Sequence, residues 1–275
     1  MCSAACLEEL LKTTRAFDIT IFGDEPHPNY DRTLLAGVLA GERDPDSLVL
    51  NDFEWYQEQC IRTRLGIRVE EIDRKNRGVR SSDGDWTHYD KLVLATGASP
   101  EIPSIGGLDL ARVHVFATLD DARRLAEAAA PGVRAVVIGG WLAADAARAL
   151  EKRGCEVKSV DVQELPRLAW SEGFTPDLIV IATNLLPNAM LARDCGLRVN
   201  RGIVVNDQME TSDPHIFAIG ACTEHNGRVF DCLPPMLEQA KVLAANLAGA
   251  PGRGFRDLDS VFQELTASPL HQRAE

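Results

Sequence analysis

The stretch RAVVIGGWLAADAARALEKRGCEVKSVDV, residues 134–162, decides the fold. Its first seven residues are an apolar run ending in two glycines. The next fourteen place alanine and leucine at helical spacing, and Gly154 marks the helix end before a second β-rich run, CEVKSVDV. Strand, helix and strand within some thirty residues is a βαβ unit, which requires parallel strands joined by a crossover. The glycine pair Gly139–Gly140 lies at the strand-to-helix turn, where the chain bends sharply and passes close to something.

The surrounding chain repeats the alternation. A short helix over residues 3–14 leads into the strand FDITIFG at 17–23, and the two prolines of DEPHPNYDR then forbid regular structure. A helix is expected from Asp52 to Cys60. After it, residues 61–97 read as β-strands broken at KNRG and SSDGD, a β-meander inserted in an α/β frame, whose last strand KLVLATG stops at Thr96–Gly97. Thr118 with Asp121 three residues later forms a capping box that opens the helix LDDARRLAEAAA. Residues 163–176 leave room for barely one crossover helix before the strand DLIVIAT. The strands GIVV and HIFAIG follow, then a helix begun by Pro234–Pro235 and ended by Gly249, and a last amphipathic helix around VFQEL.

The bulk numbers place these elements in an ordinary globular α/β protein: 275 residues, 45% hydrophobic and 25% charged, enough for two modest domains. A net charge of −12 without a basic cluster argues against nucleic acid as a partner. No apolar segment reaches the ~20 residues that a bilayer requires, and the first eighteen residues turn acidic too soon for a signal peptide, so the expected compartment is the cytoplasm and no membrane partner is expected. The seven cysteines, at 2, 6, 60, 155, 195, 222 and 232, show no C-x-x-C pair and no zinc spacing, which favours free thiols and no metal.

The ordered set ITIFGDEPHPNYDRTLLAGVLAGE (19–42), YDKLVLATGASPEIPSIGG (89–107), AVVIGG (135–140), PN (187–188), NRGIVVND (200–207) and TSDPHIFAIGACTEH (211–225) resembles the FAD-dependent pyridine-nucleotide-disulfide oxidoreductase family. The likeness is nearest the flavin module of NAD(P)H nitrite reductase large subunits, then rubredoxin and ferredoxin reductases. It implies a two-domain Rossmann-like fold of the glutathione-reductase type, with the inserted β-meander and a shortened second domain. The implied division is an FAD-binding-like domain at 1–110 and 195–252, a reduced NAD-binding-like domain at 111–194, and a C-terminal helix and tail at 253–275. It further implies a flavin-linked oxidoreductase or electron-transfer subunit working with a redox partner or reductase subunit. By the same resemblance Glu25 takes the adenosine ribose, Arg32 lies near the flavin and its phosphates, and Val69 flanks the adenine. Thr96 and Gly97 let the chain pass the cofactor, and Gly220 with Ala221 stands at the ribityl chain. Glu25 alone is a surface acid more often than a ribose ligand, and Arg32 alone is a solvated charge; their spacing inside the fuller match favours the cofactor reading. No residue is assigned to catalysis.

Three departures set a competing expectation. Aligning LEELLK with the family's first helix puts Met1 inside the glycine-rich phosphate loop and Ser3 at its last glycine, so that loop is truncated or lost. Ala221 replaces an acid that holds the ribityl hydroxyls; losing one such partner costs ~1.5 to 3 kcal/mol. Trp141 and Ala144 occupy glycine positions of the nicotinamide turn, and Asn184 replaces another glycine; an indole would fill the space of the pyrophosphate, which argues against NAD(P)H. Trp141, Leu142 and Trp170 would instead cover apolar faces. The alternative is therefore a cofactor-poor paralogue acting as a binding or assembly subunit, an inactive remnant, or a chain whose FAD site is completed by a partner. The chain lacks the Cys clusters that in nitrite reductases hold iron–sulfur and sirohaem, so nitrite reduction by it alone is not expected, and the oligomeric state is left open.

Overall fold

The computed structural model describes residues 1–103, 112–140, 143–167, 176–250, 252 and 254–256. The chain divides into two compact units, one made of Met1–His27, Glu54–Ala98 and Pro187–Glu275, the other of Pro28–Phe53 and Ser99–Leu186.

The second unit grows from the βαβ stretch. Its sheet is four-stranded and parallel, in the order Val113–Val115, Leu178–Ala182, Arg134–Gly139, Glu156–Val160. Parallel strands need both faces covered, and alternate residues of Arg134–Gly139 serve the two. Ala135 and Val137 pack with Leu39, Leu125, Ala146 and Leu150, while Val136 and Ile138 pack with Val160 and Ile179. The helix Ala143–Lys152 follows the glycine pair. The helix Leu119–Ala128 begins at the expected capping box, with Thr118 Oγ1 accepting from the Asp121 N–H and the Asp121 carboxylate accepting from the Thr118 N–H. Among the described residues, a short 3₁₀ turn, Val162–Arg167, stands where the crossover helix was expected; residues 168–175, Trp170 included, lie outside the described residues.

Residues 28–53, read from the sequence as part of the first domain, belong to this second unit. The reason is packing: the helix Leu35–Ala40 buries Leu39 against the Leu125 and Leu150 side of the sheet, and the Tyr30 hydroxyl accepts from the Leu119 N–H at 3.1 Å. The proline loop is also less irregular than its composition suggests, since Asn29–Tyr30 pairs antiparallel with Val49–Asn51.

The first unit packs the helix Cys2–Thr13 against the helix Leu233–Leu247. Leu10 and Cys6 of the former and Leu243 and Ala240 of the latter share a core with Leu94, Ile216 and Phe217. Two parallel strand pairs border it: Thr20–Gly23 with Arg62–Leu65, and Leu92–Leu94 with Ile216–Ala218. The meander is narrower than expected. It comprises Val69–Asp73, Gly78–Ser81 and Trp86–His88, because the positive-φ Gly66 (φ 73°) separates Arg62–Leu65 from it. A further sheet joins Ile203–Val205, Thr223–His225 and Arg228–Val229. Of the expected C-terminal helix, residues 257–275 lie outside the described residues; Phe255, before them, is buried in the first unit's core.

Candidate cofactor site

Six of the seven site residues named from the sequence lie within the first unit, five of them in the turns that follow the parallel strands and Val69 at the start of the meander strand Val69–Asp73. Strand ends of this kind are where α/β sheets bind ligands. After Thr20–Gly23 the chain turns through Asp24 and Glu25. The Glu25 carbonyl accepts from the Gly66 N–H at 3.0 Å, the Gly23 carbonyl accepts from the Ile67 N–H at 2.9 Å, and Arg68 pairs with Asp24 at 2.7 Å. This ties the half-buried Glu25 beside the segment that leads directly into Val69.

The other four, Thr96, Gly97, Gly220 and Ala221, follow the second strand pair. The Ile219 N–H donates to the Leu94 carbonyl at 3.0 Å, which holds the two turns side by side. Gly220 has φ 85°, and a Cβ there would stand 3.3 Å from the Cys2 Cβ, so a side chain would be both strained and crowded. The start of the Cys2–Thr13 helix thus lies against Gly220. Its first internal bond runs from the Ala5 N–H to the Met1 carbonyl at 3.1 Å, leaving the N–H groups of Cys2, Ser3 and Ala4 without acceptors inside the helix. Those donors and the positive end of the helix suit an anion. Gly97 has φ 69° with nothing within 4 Å of the position its Cβ would take, which leaves open space beside the turn. Ala221 offers only a methyl group. The donor set therefore fits the adenosine and pyrophosphate parts of FAD and lacks the carboxylate for the ribityl hydroxyls.

Arg32 belongs to the second unit, where its guanidinium stands 5.3 Å from the Tyr30 ring centre and donates to the Ala117 carbonyl at 3.0 Å. In the same unit Gly139 has no room for a side chain, its Cβ position lying 2.0 Å from the Ala182 carbonyl oxygen, whereas Gly140 faces open space. Trp141 and Leu142 lie outside the described residues. Asn184 is exposed, and its carbonyl accepts from the Glu101 N–H at 2.9 Å.

Several polar residues escaped the sequence reading. Gln239, fully buried on the Leu233–Leu247 helix, accepts from the Gly220 N–H at 2.7 Å and donates to Thr223 Oγ1 at 3.2 Å, fixing the Gly220 turn from beneath. Glutamine among apolar helix positions was its only signal. Buried Glu224 accepts from Asn200 Nδ2 and from the N–H groups of Arg201 and Gly202. Burial alone would raise its pKa; these bonds outweigh it and hold the carboxyl below its usual range. A His–acid pair is also present, His225 Nε2 lying 2.8 Å from Asp207 Oδ1, and nothing in the spacing of 207 and 225 announces it.

The thiols near this end are unreactive in character. Burial pushes Cys2 and Cys6 up to about 12, with Cys222 adding to the effect on Cys2. Cys222 itself is raised by burial although Thr96 and Gly97 offer it hydrogen bonds. Among the described residues no cluster of His, Cys, Asp and Glu could hold a metal ion, and no helix is long and apolar enough to cross a membrane.

Comparison with known proteins matches residues 1–175 and 171–242 to the model of the pyridine nucleotide-disulphide oxidoreductase family. The chain belongs to this family. It is 38% identical to the assimilatory nitrate reductase electron transfer subunit of Bacillus subtilis (strain 168), over 91% of this chain and 38% of that protein. It is 35% identical to the NAD(P)H nitrite reductase of the same organism, over 90% of this chain and 36% of that one. The chain therefore spans well under half the length of these relatives. Among solved structures, putidaredoxin reductase in covalent complex with putidaredoxin matches with a TM-score of 0.80 at 25% identity, over 93% of this chain and 74% of that one. The NADH:rubredoxin oxidoreductase of Clostridium acetobutylicum shares the fold, with a TM-score of 0.82 at 21% identity, over 94% and 75%.

These matches establish the FAD/NAD-reductase fold read from the sequence. They do not favour the cofactor-poor alternative. They also withdraw support from the expectation against NAD(P)H: the matched residues run through the Gly139–Gly140 unit, and relatives carry NAD(P)H or NADH in their names.

Proposed function

We propose that this chain is a flavin-linked, pyridine-nucleotide-dependent electron-transfer module that passes electrons to a separate redox partner or reductase domain. The observation that carries the reading is the meeting, in the first unit, of the Cys2–Thr13 helix start, the positive-φ Gly220 and the Thr96–Gly97 turn. In this reading Glu25 accepts the adenosine ribose hydroxyls, Val69 flanks the adenine, and the free N–H groups of the first helix turn face the pyrophosphate. Gly97 and Gly220 give close backbone approach, and Ala221 leaves the ribityl chain less firmly held. When bound, FAD supplies the two-electron chemistry; the protein supplies position and electrostatics.

The second unit serves NADH in the same scheme. Gly140 lies at the turn after the central strand, and Asp161 follows the neighbouring strand Glu156–Val160 about 20 residues later, where an acid hydrogen-bonds the ribose 2′-hydroxyl of NAD. An acid at this place favours NADH over NADPH, whose 2′-phosphate it repels. The kinship with nitrate and nitrite reductase subunits supports electron delivery to a nitrogen-oxyanion reductase.

The test is anaerobic reduction of the FAD-loaded chain. NADH bleaches the visible flavin band, NADPH does so more slowly, and Asp161→Ala narrows the difference. A chain that takes up FAD and is bleached by dithionite but by neither nucleotide would overturn the NADH half of the reading.

A further inference from the structure

Asn188 makes three hydrogen bonds to one exposed turn. Its Nδ2 donates to the Thr96 carbonyl at 2.9 Å, its N–H donates to the Gly97 carbonyl at 2.9 Å, and its own carbonyl accepts from Thr96 Oγ1 at 2.6 Å. The peptide carbonyls on both sides of Gly97 are thereby fixed from a segment more than ninety positions further along the chain. From the core side, the buried Cys222 Sγ approaches the Leu94 carbonyl at 3.6 Å and the Ile219 carbonyl at 3.2 Å, bracing the strand that ends in this turn to the strand that ends at Gly220. Gly97, the residue so held, has φ 69° and open space where a Cβ would point.

Stability alone accounts poorly for such a clamp. Thr96 is exposed, and hydrogen bonds made at the surface replace bonds to water with little net gain. A fixed turn beside open space is instead what a bound group needs, because a loop already in its binding conformation loses less freedom on association. Alanine at 188 removes one of the three bonds, since the other two use its backbone, and threonine at 96 supplies the third.

We infer that Asn188 is a positioning residue, which holds the Thr96–Gly97 turn in the conformation that receives the flavin end of FAD. The inference rests on the proposed FAD site and adds to it a residue with no assigned role. Asn188 acts through the turn and through Thr96, while Cys222 aligns that turn with Gly220 and Ala221.

The test uses the full chain and FAD as the probe, titrated by flavin fluorescence, with the visible spectrum and the midpoint potential of the bound flavin as further readouts. Asn188→Ala and Thr96→Val each weaken FAD binding about three- to tenfold, the loss expected for one hydrogen bond. Both also alter the vibronic structure of the flavin band or its potential. Thr96→Ser, which keeps the hydroxyl, restores wild-type behaviour, and Asn188→Asp, which keeps the shape without the donor, does not. The double variant Asn188→Ala with Thr96→Val loses less than the product of the single effects, since both act on one turn. Thermal unfolding of the FAD-free variants stays near that of the wild type. If the wild type binds FAD while Asn188→Ala and Thr96→Val bind it equally well with unchanged spectra and potential, the inference is overturned and the FAD reading stands. If the wild type takes up no FAD, the FAD reading falls and the inference with it. If weaker binding appears only with matching loss of FAD-free stability and an unchanged flavin spectrum, Asn188 is structural and the inference is wrong.

Discussion

Adding one methyl group at each member of the glycine pair separates packing from ligand approach. At Gly139 a Cβ would stand 2.0 Å from the carbonyl oxygen and 2.6 Å from the carbonyl carbon of Ala182, and 3.1 Å from the Ala143 Cβ. The first two belong to the backbone of the adjacent strand, Gly139 being paired with Ala182 in the sheet, so no side-chain rotation relieves the contact. Either that fully buried strand shifts or the helix after the turn moves outward. Overpacking of this sort costs about 1–3 kcal/mol, and the φ of 155° adds strain of about 1–3 kcal/mol for a residue with a side chain. The sum, ~2–6 kcal/mol, is a large part of the ~5–15 kcal/mol that typically holds a domain. At Gly140 nothing lies within 4 Å, and alanine should change stability by less than about 0.5 kcal/mol. Urea unfolding followed by far-ultraviolet circular dichroism gives both values. Gly139→Ala should unfold at markedly lower urea while Gly140→Ala overlays the wild type and, in the NADH reading, binds the nucleotide more weakly. A Gly139→Ala protein as stable as the wild type would refute the packing argument.

Other perturbations read other parts of the molecule. Thr118→Ala removes one arm of the capping box and should cost about 1 kcal/mol in the same unfolding assay. Glu224→Gln weakens three hydrogen bonds to a buried carboxylate, for a loss of about 1.5–3 kcal/mol at neutral pH. Because the folded protein holds Glu224 below the usual carboxylate range, its contribution is complete above that range and disappears as pH falls through the lowered value; the variant's unfolding midpoint should therefore fall less steeply on acidification. With a thiol reagent at neutral pH, exposed Cys60 and Cys232 should label first, and Cys2, Cys6 and Cys222, raised by burial, should label only on unfolding. Early labelling of Cys222, read by peptide mapping, would contradict the packing of the Gly220 turn.

How far the sequence revealed these features depended on whether they were local. Periodicity and punctuation exposed the βαβ unit at 134–162, the Thr118 capping box and the Pro234–Gly249 helix, because each depends on residues within a few turns of one another. The placement of Arg62–Leu65 was less legible. Its alternation suits a meander, and only pairing with Thr20–Gly23, forty positions earlier, makes it part of a parallel pair. The packing of 28–53 on the second unit depends likewise on Leu39 meeting Leu125 and Leu150. Six proposed site residues could be named from ordered motifs, whereas Gln239, Asn188 and the His225–Asp207 pair act through contacts whose partners lie 16 to 92 positions away and leave no periodic trace. Trp141, decisive in the reading against NAD(P)H, was weighed by size alone and lies outside the described residues, whereas the glycines before it are described: Gly139 is crowded and Gly140 open.

The central claim is that the Gly220–Ala221 turn receives FAD, and titration of FAD into the wild type and Ala221→Asp tests it most directly. The added carboxylate restores one charged hydrogen-bond partner, worth about 1.5–3 kcal/mol or ten- to a hundredfold in affinity. Saturable binding of one FAD per chain, tightened to that degree by Ala221→Asp, is the expected result. Absence of saturable uptake by both proteins, or equal affinity in the two, would contradict the account.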